Sequence, residues 1–373
     1  MDKHPNTLTG TSGHKHPRGH KPVIGITLGD PAGIGAEIIV KALSAEELYH
    51  LCRPIVIGEA GLLKKALALV KVPGVRGPSL HCISAVEEAK GEYGTLDLLD
   101  LNNIEADSVT YGRVDEACGK ASIEYIEKAI ELALKREIQA MVTAPIHKEA
   151  VNRAGLPYPG HTEFLAALTG TEDYALMLIH DNFRIVHISN HISLKQACEE
   201  VKRERILKVI GLGNEMLKRL GIENPRIAVA GLNPHAGEGG LFGREEIEEI
   251  IPALKLAGMQ GIKVEGPIPP DTIFSRTRGG QYDLAVAMYH DQGHIAMKVA
   301  GFTYDKESDR WSSIKGVNVT LGLPIIRTSV DHGVAFDQAG KGTANPQSLE
   351  EAIKLAGQLV GVRFIEPDNG RHK

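Results

Sequence analysis

From residue 22 onward, short apolar runs alternate with longer stretches in which apolar residues recur at helical spacing. That alternation predicts a largely parallel sheet covered by helices, because parallel strands are buried on both faces and read as continuous apolar segments. Residues 23–28 (VIGITL) read as the first strand, followed by a Gly-rich turn and a helix over 36–43. Residues 54–57 read as the second strand, and 60–70 as the helix behind it. Over 123–135 the apolar residues fall at helical intervals, and 139–143 is the strand that follows. Three further strands are predicted at 184–189, 226–230 and 283–288, with a helix over 203–220. The polar segment 303–315 (TYDKESDRWSSIK), which holds the single Trp, reads as a long surface loop or as a flap over a site between the segments it joins.

Composition narrows the class. At 373 residues, with 42% hydrophobic and 24% charged positions, the chain has room for two domains of ordinary size. A net charge of −5 gives no global attraction for nucleic acid or an anionic membrane. No run of 18 apolar residues occurs and the N-terminus is polar, so neither a spanning helix nor a signal-peptide core is read, and the expected location is cytoplasmic. Residues 1–21 read as a disordered tail, and its histidines, His4, His14, His16 and His20, are not taken as metal ligands. Cys52, Cys82, Cys118 and Cys198 form no CxxC pair and are expected as buried reduced thiols.

In open parallel sheets ligands bind beyond the carboxyl ends of strands. Three predicted strands are followed there by a histidine: His191, His235 and His290. Each alone reads as a packing residue. Three at equivalent places on one rim, two beside glycines, equally suit a divalent cation with coordination positions left for substrate. His294 completes an HxxxH with His290, but Gly293 between them weakens a helix and with it the metal-pair reading. The 29–35 turn (GDPAGIG) fits an anion or a tight structural turn alike. His161 and Thr162 open a predicted helix, as phosphate donors or as a simple cap. Lys298, Asn318 and Arg327 lie in apolar, Gly-rich surroundings; Arg327 calls for an anionic partner, either a ligand or an internal carboxylate.

Taken in order, GDPAGIGAE, TAPIHKEAV, YPGHTEF, GLNPHAGEGGLFGREE, AMYHDQG and GVNVTLGLPIIRTSVDHG resemble the 4-hydroxythreonine-4-phosphate dehydrogenase family over nearly all of residues 22–360. Within it, YPGHTEFLAALTG and GQYDLAVAMYHDQGHIAMK are similar to the branch acting on 4-phosphorylated D-threonate or D-erythronate. The resemblance implies a divalent metal (Zn, Co, Mg or Mn) on His191, His235 and His290. It also implies a phosphorylated acid substrate on His161, Thr162, Lys298, Asn318 and Arg327; Asp271, in the run PPDT, is a further candidate polar contact from the partner subunit. It implies a homodimer with a shared active site, so that the three histidines need not meet within one chain. Residues 331–346 (DHGVAFDQAGKGTANP) are similar to the loop that holds the adenosine half of NAD in isopropylmalate and isocitrate dehydrogenases, with Val334 where those carry Ser and Phe336 where they carry Pro. That similarity implies cofactor contacts from His332, Gly333, Asp337 and Asn345.

The fold so implied is α/β: two α/β/α domains with mixed, largely parallel sheets of the isocitrate/isopropylmalate dehydrogenase type. The first would comprise 22–150 plus 330–373 on the cofactor side, and the second 151–329, with the metal, substrate and dimer contacts. The implied reaction is NAD-dependent oxidation of a secondary alcohol followed by loss of CO2, turning 4-phospho-D-threonate or 4-phospho-D-erythronate into dihydroxyacetone phosphate. Arg327, Lys298 and His161 would supply charge, and Thr162 and Asn318 neutral donors. Three other readings stand beside it: a 4-hydroxy-L-threonine 4-phosphate dehydrogenase of pyridoxal phosphate biosynthesis, a non-catalytic sugar-phosphate-binding protein, and a zinc hydrolase using the same histidines.

Overall fold

Every residue of the first strand, β1 (Val23–Thr27), is buried, as a central strand between two helical layers requires. The computed structural model describes residues 21–71, 77–156, 158, 160–307 and 310–361, with only the backbone of 310–314. Of the expected tail, residues 1–20 with their four histidines lie outside them, as do residues 362–373. The chain continues through α1 (Gly35–Ala42), α2 (Glu46–Leu51), β2 (Arg53–Gly58), α3 (Ala60–Leu69), β3 (Ser79–Ile83), β4 (Thr95–Asp100), α4 (Glu116–Leu134) and β5 (Ala140–Thr143). Next come α5 (Lys148–Arg153), α6 (His161–Leu168), β6 (Ala175–His180), β7 (Phe183–His187), α7 (Leu194–Glu199), α8 (Arg203–Arg219) and β8 (Ile227–Ala230). The last stretch holds α9 (Ile251–Met259), β9 (Val264–Ile268), α10 (Pro270–Arg278), β10 (Leu284–Ala287), α11 (His290–Gly301), β11 (Phe302–Asp305), β12 (Arg310–Ile314), β13 (Val317–Leu321), β14 (Arg327–Val330) and α12 (Gln347–Leu359). α4 starts seven residues before the apolar periodicity shows it, at an N-cap where Asp115 accepts from the Cys118 N–H.

Twelve strands form one mixed, mostly parallel sheet in the order β3-β4-β2-β1-β5-β14-β13-β6-β7-β10-β8-β9. β3 to β14 run parallel, as do β7, β10, β8 and β9. Between these blocks β14–β13, β13–β6 and β6–β7 are antiparallel. The blocks therefore run in opposite directions, and their carboxyl ends lie at opposite edges of the sheet. α12 brings the chain back to the first block, packing on β14, β5 and α1.

Two local expectations change. Segment 303–315 is not a loop: β11 and β12 form an antiparallel hairpin with a register shift at Thr303/Tyr304. In β11 the two middle residues are exposed and the outer two half-buried, so the sequence there stays polar. Among the cysteines, Cys52 and Cys118 are buried but Cys82 and Cys198 are exposed; all four are free. Among the described residues no helix is long and apolar enough to cross a membrane.

Candidate active site

A cleft of about 350 Å³ crosses the sheet where the two blocks meet. Thr143 at the end of β5 and Ser329–Gly333 at and beyond the end of β14 line one side; α6, His191 and α11 line the other. His161, Thr162, Lys298, Asn318, Arg327, His332 and Gly333 all face it, together with Lys148 and His294.

Arg327 is 2% exposed at the start of β14. Its Nε and a terminal nitrogen donate to Thr143 Oγ1 at 3.2 and 2.6 Å, and the other terminal nitrogen to Thr320 Oγ1 at 3.2 Å. No carboxylate of the described residues comes within ion-pair distance. Burial pulls the guanidinium from 12.5 down to about 9, partly opposed by Glu163, which still leaves a cation at neutral pH. Of the two partners open to Arg327, the internal carboxylate is thus absent from its contacts, and a buried, uncompensated cation in a cleft is a receptor for an anion.

His161 opens α6, whose N-cap Gly160 offers no side chain, so the first amides of the helix stay free for a ligand. Burial, then the Arg327 and Lys148 cations, push the His161 imidazole well below its ordinary pKa. The expectation that His161 supplies charge is corrected: the ring is neutral at pH 7, and its buried Nε2 has no partner. Lys298 donates to the Asp331 carbonyl and pairs with Asp331 Oδ2 at 2.7 Å. Asn318 Nδ2 donates to the Val330 carbonyl at 3.2 Å, leaving buried Oδ1 unpartnered.

β7, β8 and β10 deliver His191, His235 and His290 beyond parallel carboxyl ends, as strand order requires. Only two of them meet: the His191 and His290 rings lie 5.4 Å apart, while His235 has a largely exposed side chain and packs edge-on against Phe242. Among the described residues no three His, Cys, Asp or Glu side chains form a metal cage, which corrects the single-chain version of the one-rim reading. His235 lies in a turn where residues 235–239 all have positive φ, from 43° to 81°. That conformation strains His235, Ala236 and Glu238. Buried Glu246 anchors the turn by accepting from the Leu232 and Asn233 amides at 2.8 Å and from Asn233 Nδ2 at 2.9 Å. Asp271 sits exposed on the first turn of α10, which packs against that same turn and not on the cleft.

One geometric feature unites the three histidines. Nδ1 of His191 faces Glu163 at 3.3 Å, Nδ1 of His235 faces Glu238 at 3.3 Å, and Nδ1 of His290 faces Asp291 at 2.6 Å. A carboxylate on Nδ1 fixes the tautomer and leaves Nε2 as a basic lone pair, the arrangement of metal-ligating histidines. Burial opposes ionisation of Glu163, but the His191 hydrogen bond, its own amide and Lys148 outweigh it and hold the carboxyl below its usual range.

The helical HxxxH that Gly293 argued against in the sequence is present. His290, His294 and Lys298 follow at intervals of four on one face of α11, so HxxxH does lie on a helix, with the first two rings stacked at 3.6 Å. Gly293 is what permits this: a Cβ there would stand 2.3 Å from Nε2 of fully buried His187. Burial and the neighbouring His187 and His290 lower His294 to about 2, so its ring is neutral. Thr143, the last residue of β5, and Lys148, five residues on, are not singled out in the sequence, although the rule that found the histidines also points there.

The 331–346 loop packs on the 29–37 turn. Ile34 donates to the Val334 carbonyl at 3.1 Å and Gly340 to Glu37 Oε1 at 2.6 Å. Phe336 stacks flat on His147 at 4.7 Å, which accounts for a ring where related loops have Pro. His332 leaves buried Nε2 unpartnered, and a Cβ at Gly333 would meet open space. Asp337 is exposed beside Gln338, and Asn345 Oδ1 accepts from the Gln347 amide at the start of α12.

Residues 50–356 match the family described as pyridoxal phosphate biosynthetic protein PdxA. The chain belongs to this family. A relative from Oceanobacillus iheyensis named "Putative D-threonate 4-phosphate dehydrogenase" is 48% identical over 342 residues, 91% of this chain and 98% of that one. Crystal structures of 4-hydroxythreonine-4-phosphate dehydrogenases are similar throughout. The Klebsiella pneumoniae protein is 42% identical with a TM-score of 0.78, covering 91% of this chain and all of that one. The Burkholderia phymatum protein is 45% identical with a TM-score of 0.75, covering 91% and 99%. Like these members of the PdxA family, the protein is a dehydrogenase, an oxidoreductase.

Proposed function

We propose that the protein oxidises and decarboxylates a 4-phosphorylated four-carbon hydroxy acid, 4-phospho-D-threonate or 4-phospho-D-erythronate, using NAD and a divalent metal. The products are dihydroxyacetone phosphate and CO2. The observation that carries the reading is Arg327, a buried cation with no carboxylate partner, set beside the carboxylate-backed pair His191 and His290. Oxidation removes a hydride from C3 and the proton of its hydroxyl, and the resulting β-keto acid loses CO2 from C1.

The residues present fit both groups. His191 and His290, with His235 from a partner subunit, would hold the metal through Nε2, and His332, Gly333, Asp337 and Asn345 would line the adenosine side of the cofactor. Bound there, the metal would supply Lewis acidity and the nicotinamide would be the hydride acceptor. Imidazole donors favour zinc or cobalt over magnesium or manganese. Arg327, neutral His161 and Thr162 receive one anionic end of the substrate, and Lys298 and Asn318 orient the other wall. Residues 22–150 with 330–361 would form the cofactor side and 151–329 the metal side of a homodimer, whose partner would contribute His235 and Asp271.

Metal-loaded protein should reduce NAD with one of the two phosphorylated acids and release dihydroxyacetone phosphate. A higher kcat/KM on 4-hydroxy-L-threonine 4-phosphate would move the assignment to that substrate. No NAD reduction with any of the three would sink the reading.

A further inference from the structure

The substrate proposed above carries a phosphate dianion and a carboxylate, and the cations lining the cleft can be matched against them. Three lysine or arginine side chains of the described residues line it: Lys148, Lys298 and Arg327. Lys298 is already answered by Asp331, through both its carboxylate and its carbonyl. Arg327 has only hydroxyl partners. Lys148, exposed on the first turn of α5, has no hydrogen bond or ion pair with any described residue. Its charge nonetheless reaches the start of α6, where it acts on both His161 and Glu163.

Arg327 and Lys148 thus press on the same point, His161, whose buried Nε2 has nothing to donate to or accept from. Two cations without an ion-pair partner among the described residues, converging on an unpartnered imidazole and the free amides of α6, outweigh the single Glu163 carboxylate nearby and match a dianion better than a monoanion. The backbone leading to Lys148 is held from behind. Asp30 donates its amide to the Pro145 carbonyl at 2.9 Å, and β5 holds Thr143 in register with Ser329, so the 143–148 wall cannot drift from Arg327.

We infer that Lys148 is a substrate-binding residue that completes, with Arg327, His161 and Thr162, the subsite for the substrate's phosphate and so sets the preference for phosphorylated over unphosphorylated acids. The inference rests on the functional reading above for the identity of the substrate, but not for the presence of a phosphate subsite.

The test compares wild type, K148A and K148R as the metal-loaded full-length protein. K148A should raise the KM for the phosphorylated acid roughly 10- to 100-fold, the loss of one charge-assisted hydrogen bond, with kcat and the KM for NAD nearly unchanged. K148R, which keeps a cation at the same place, should recover most of that loss. Inorganic phosphate should inhibit wild type competitively against the acid, and its inhibition constant should rise in K148A by a similar factor. An unchanged KM, or a rise in the KM for NAD instead, overturns the inference. Calorimetric titration of inorganic phosphate into wild type and K148A reads the subsite without turnover. Loss of that binding in K148A upholds Lys148 even if no acid is oxidised, and equal binding to both proteins overturns it. Because the side chain is exposed and unpartnered, K148A is expected to fold as wild type does.

Discussion

The anion receptor around Arg327 and the histidine group around His191 share one helix, α6, which supplies His161 and Thr162 to the first and Glu163 to the second. The receptor is complete within one chain: its guanidinium is buried and braced by Thr143 and Thr320. The histidine group is not. His191, which lines the cleft, meets His290, whereas His235 stands exposed on a strained turn with its own carboxylate, Glu238. On the proposed reading, the difference teaches that substrate charge would be recognised by the folded chain and that metal coordination would be completed by the assembly. A strained, exposed histidine already backed by a carboxylate suits a site completed by a second molecule.

The largest test of this contrast separates the two regions outright. Chelation, or His235→Ala, should abolish turnover while inorganic phosphate still binds at α6; measuring both in one preparation decides the point. Mixing inactive His235→Ala and His290→Ala proteins should restore about a quarter of the sites if each site draws on two subunits, since one site in every mixed dimer is whole. No recovery after subunit exchange would place all three histidines in one chain after all.

Arg327→Met comes next. Removing one member of a buried charged contact should lower kcat/KM on the order of 1,000-fold, with metal content unchanged by elemental analysis. Metal loss in that variant would show that the two regions are not separable.

A third test asks what the wall behind the receptor costs. Burial raises Asp30 from 3.8 to about 6, opposed by amide hydrogen bonds from Ala32 and His147 and by the His147 charge, with Asp115 adding to the rise. Between those values the native carboxyl holds a proton that the unfolded one has lost, so this group withdraws stability as pH rises through 6. Asp30→Asn should therefore stabilise the protein at pH 8 by up to roughly 3 kcal/mol, a gain that disappears near pH 4. Denaturation midpoints across that range check the sign.

The smallest effect is expected at Glu238→Gln, where an exposed carboxylate orients His235. Metal affinity should fall roughly 10-fold while substrate affinity stays put. A larger loss of substrate than of metal would argue against the division.

Much of this was legible beforehand where burial leaves one reading. β1, β2, β8 and β10 are continuous apolar runs because helices cover both of their faces, and the histidines after β7, β8 and β10 follow from the strand-end rule. Antiparallel β13 and β6 were not, although they reverse the chain direction and place the cleft across the sheet instead of on a single rim. Their sequences, VNVTL and ALMLIH, carry no mark of direction. His187 escaped notice because a buried histidine inside a strand looks like any packing residue until Gly293 is seen against it. Glu163 lies 28 residues from the histidine it serves, a pairing that only the folded chain makes. Its counterparts for His235 and His290 lie within three residues, and Asp291 was in plain view.

α11 carries a consequence of its own. His290, His294 and Lys298 occupy one helical face, and eight residues of helix advance about 12 Å. The helix therefore works as a ruler laid between the two edges of the sheet, fixing how far the His290 end stands from the Lys298–Asp331 wall by a count of residues. One residue inserted after His294 would swing Lys298 about 100° off that face, so the gauge can be reset only in whole helical turns, and a substrate of different length calls for a helix of different length.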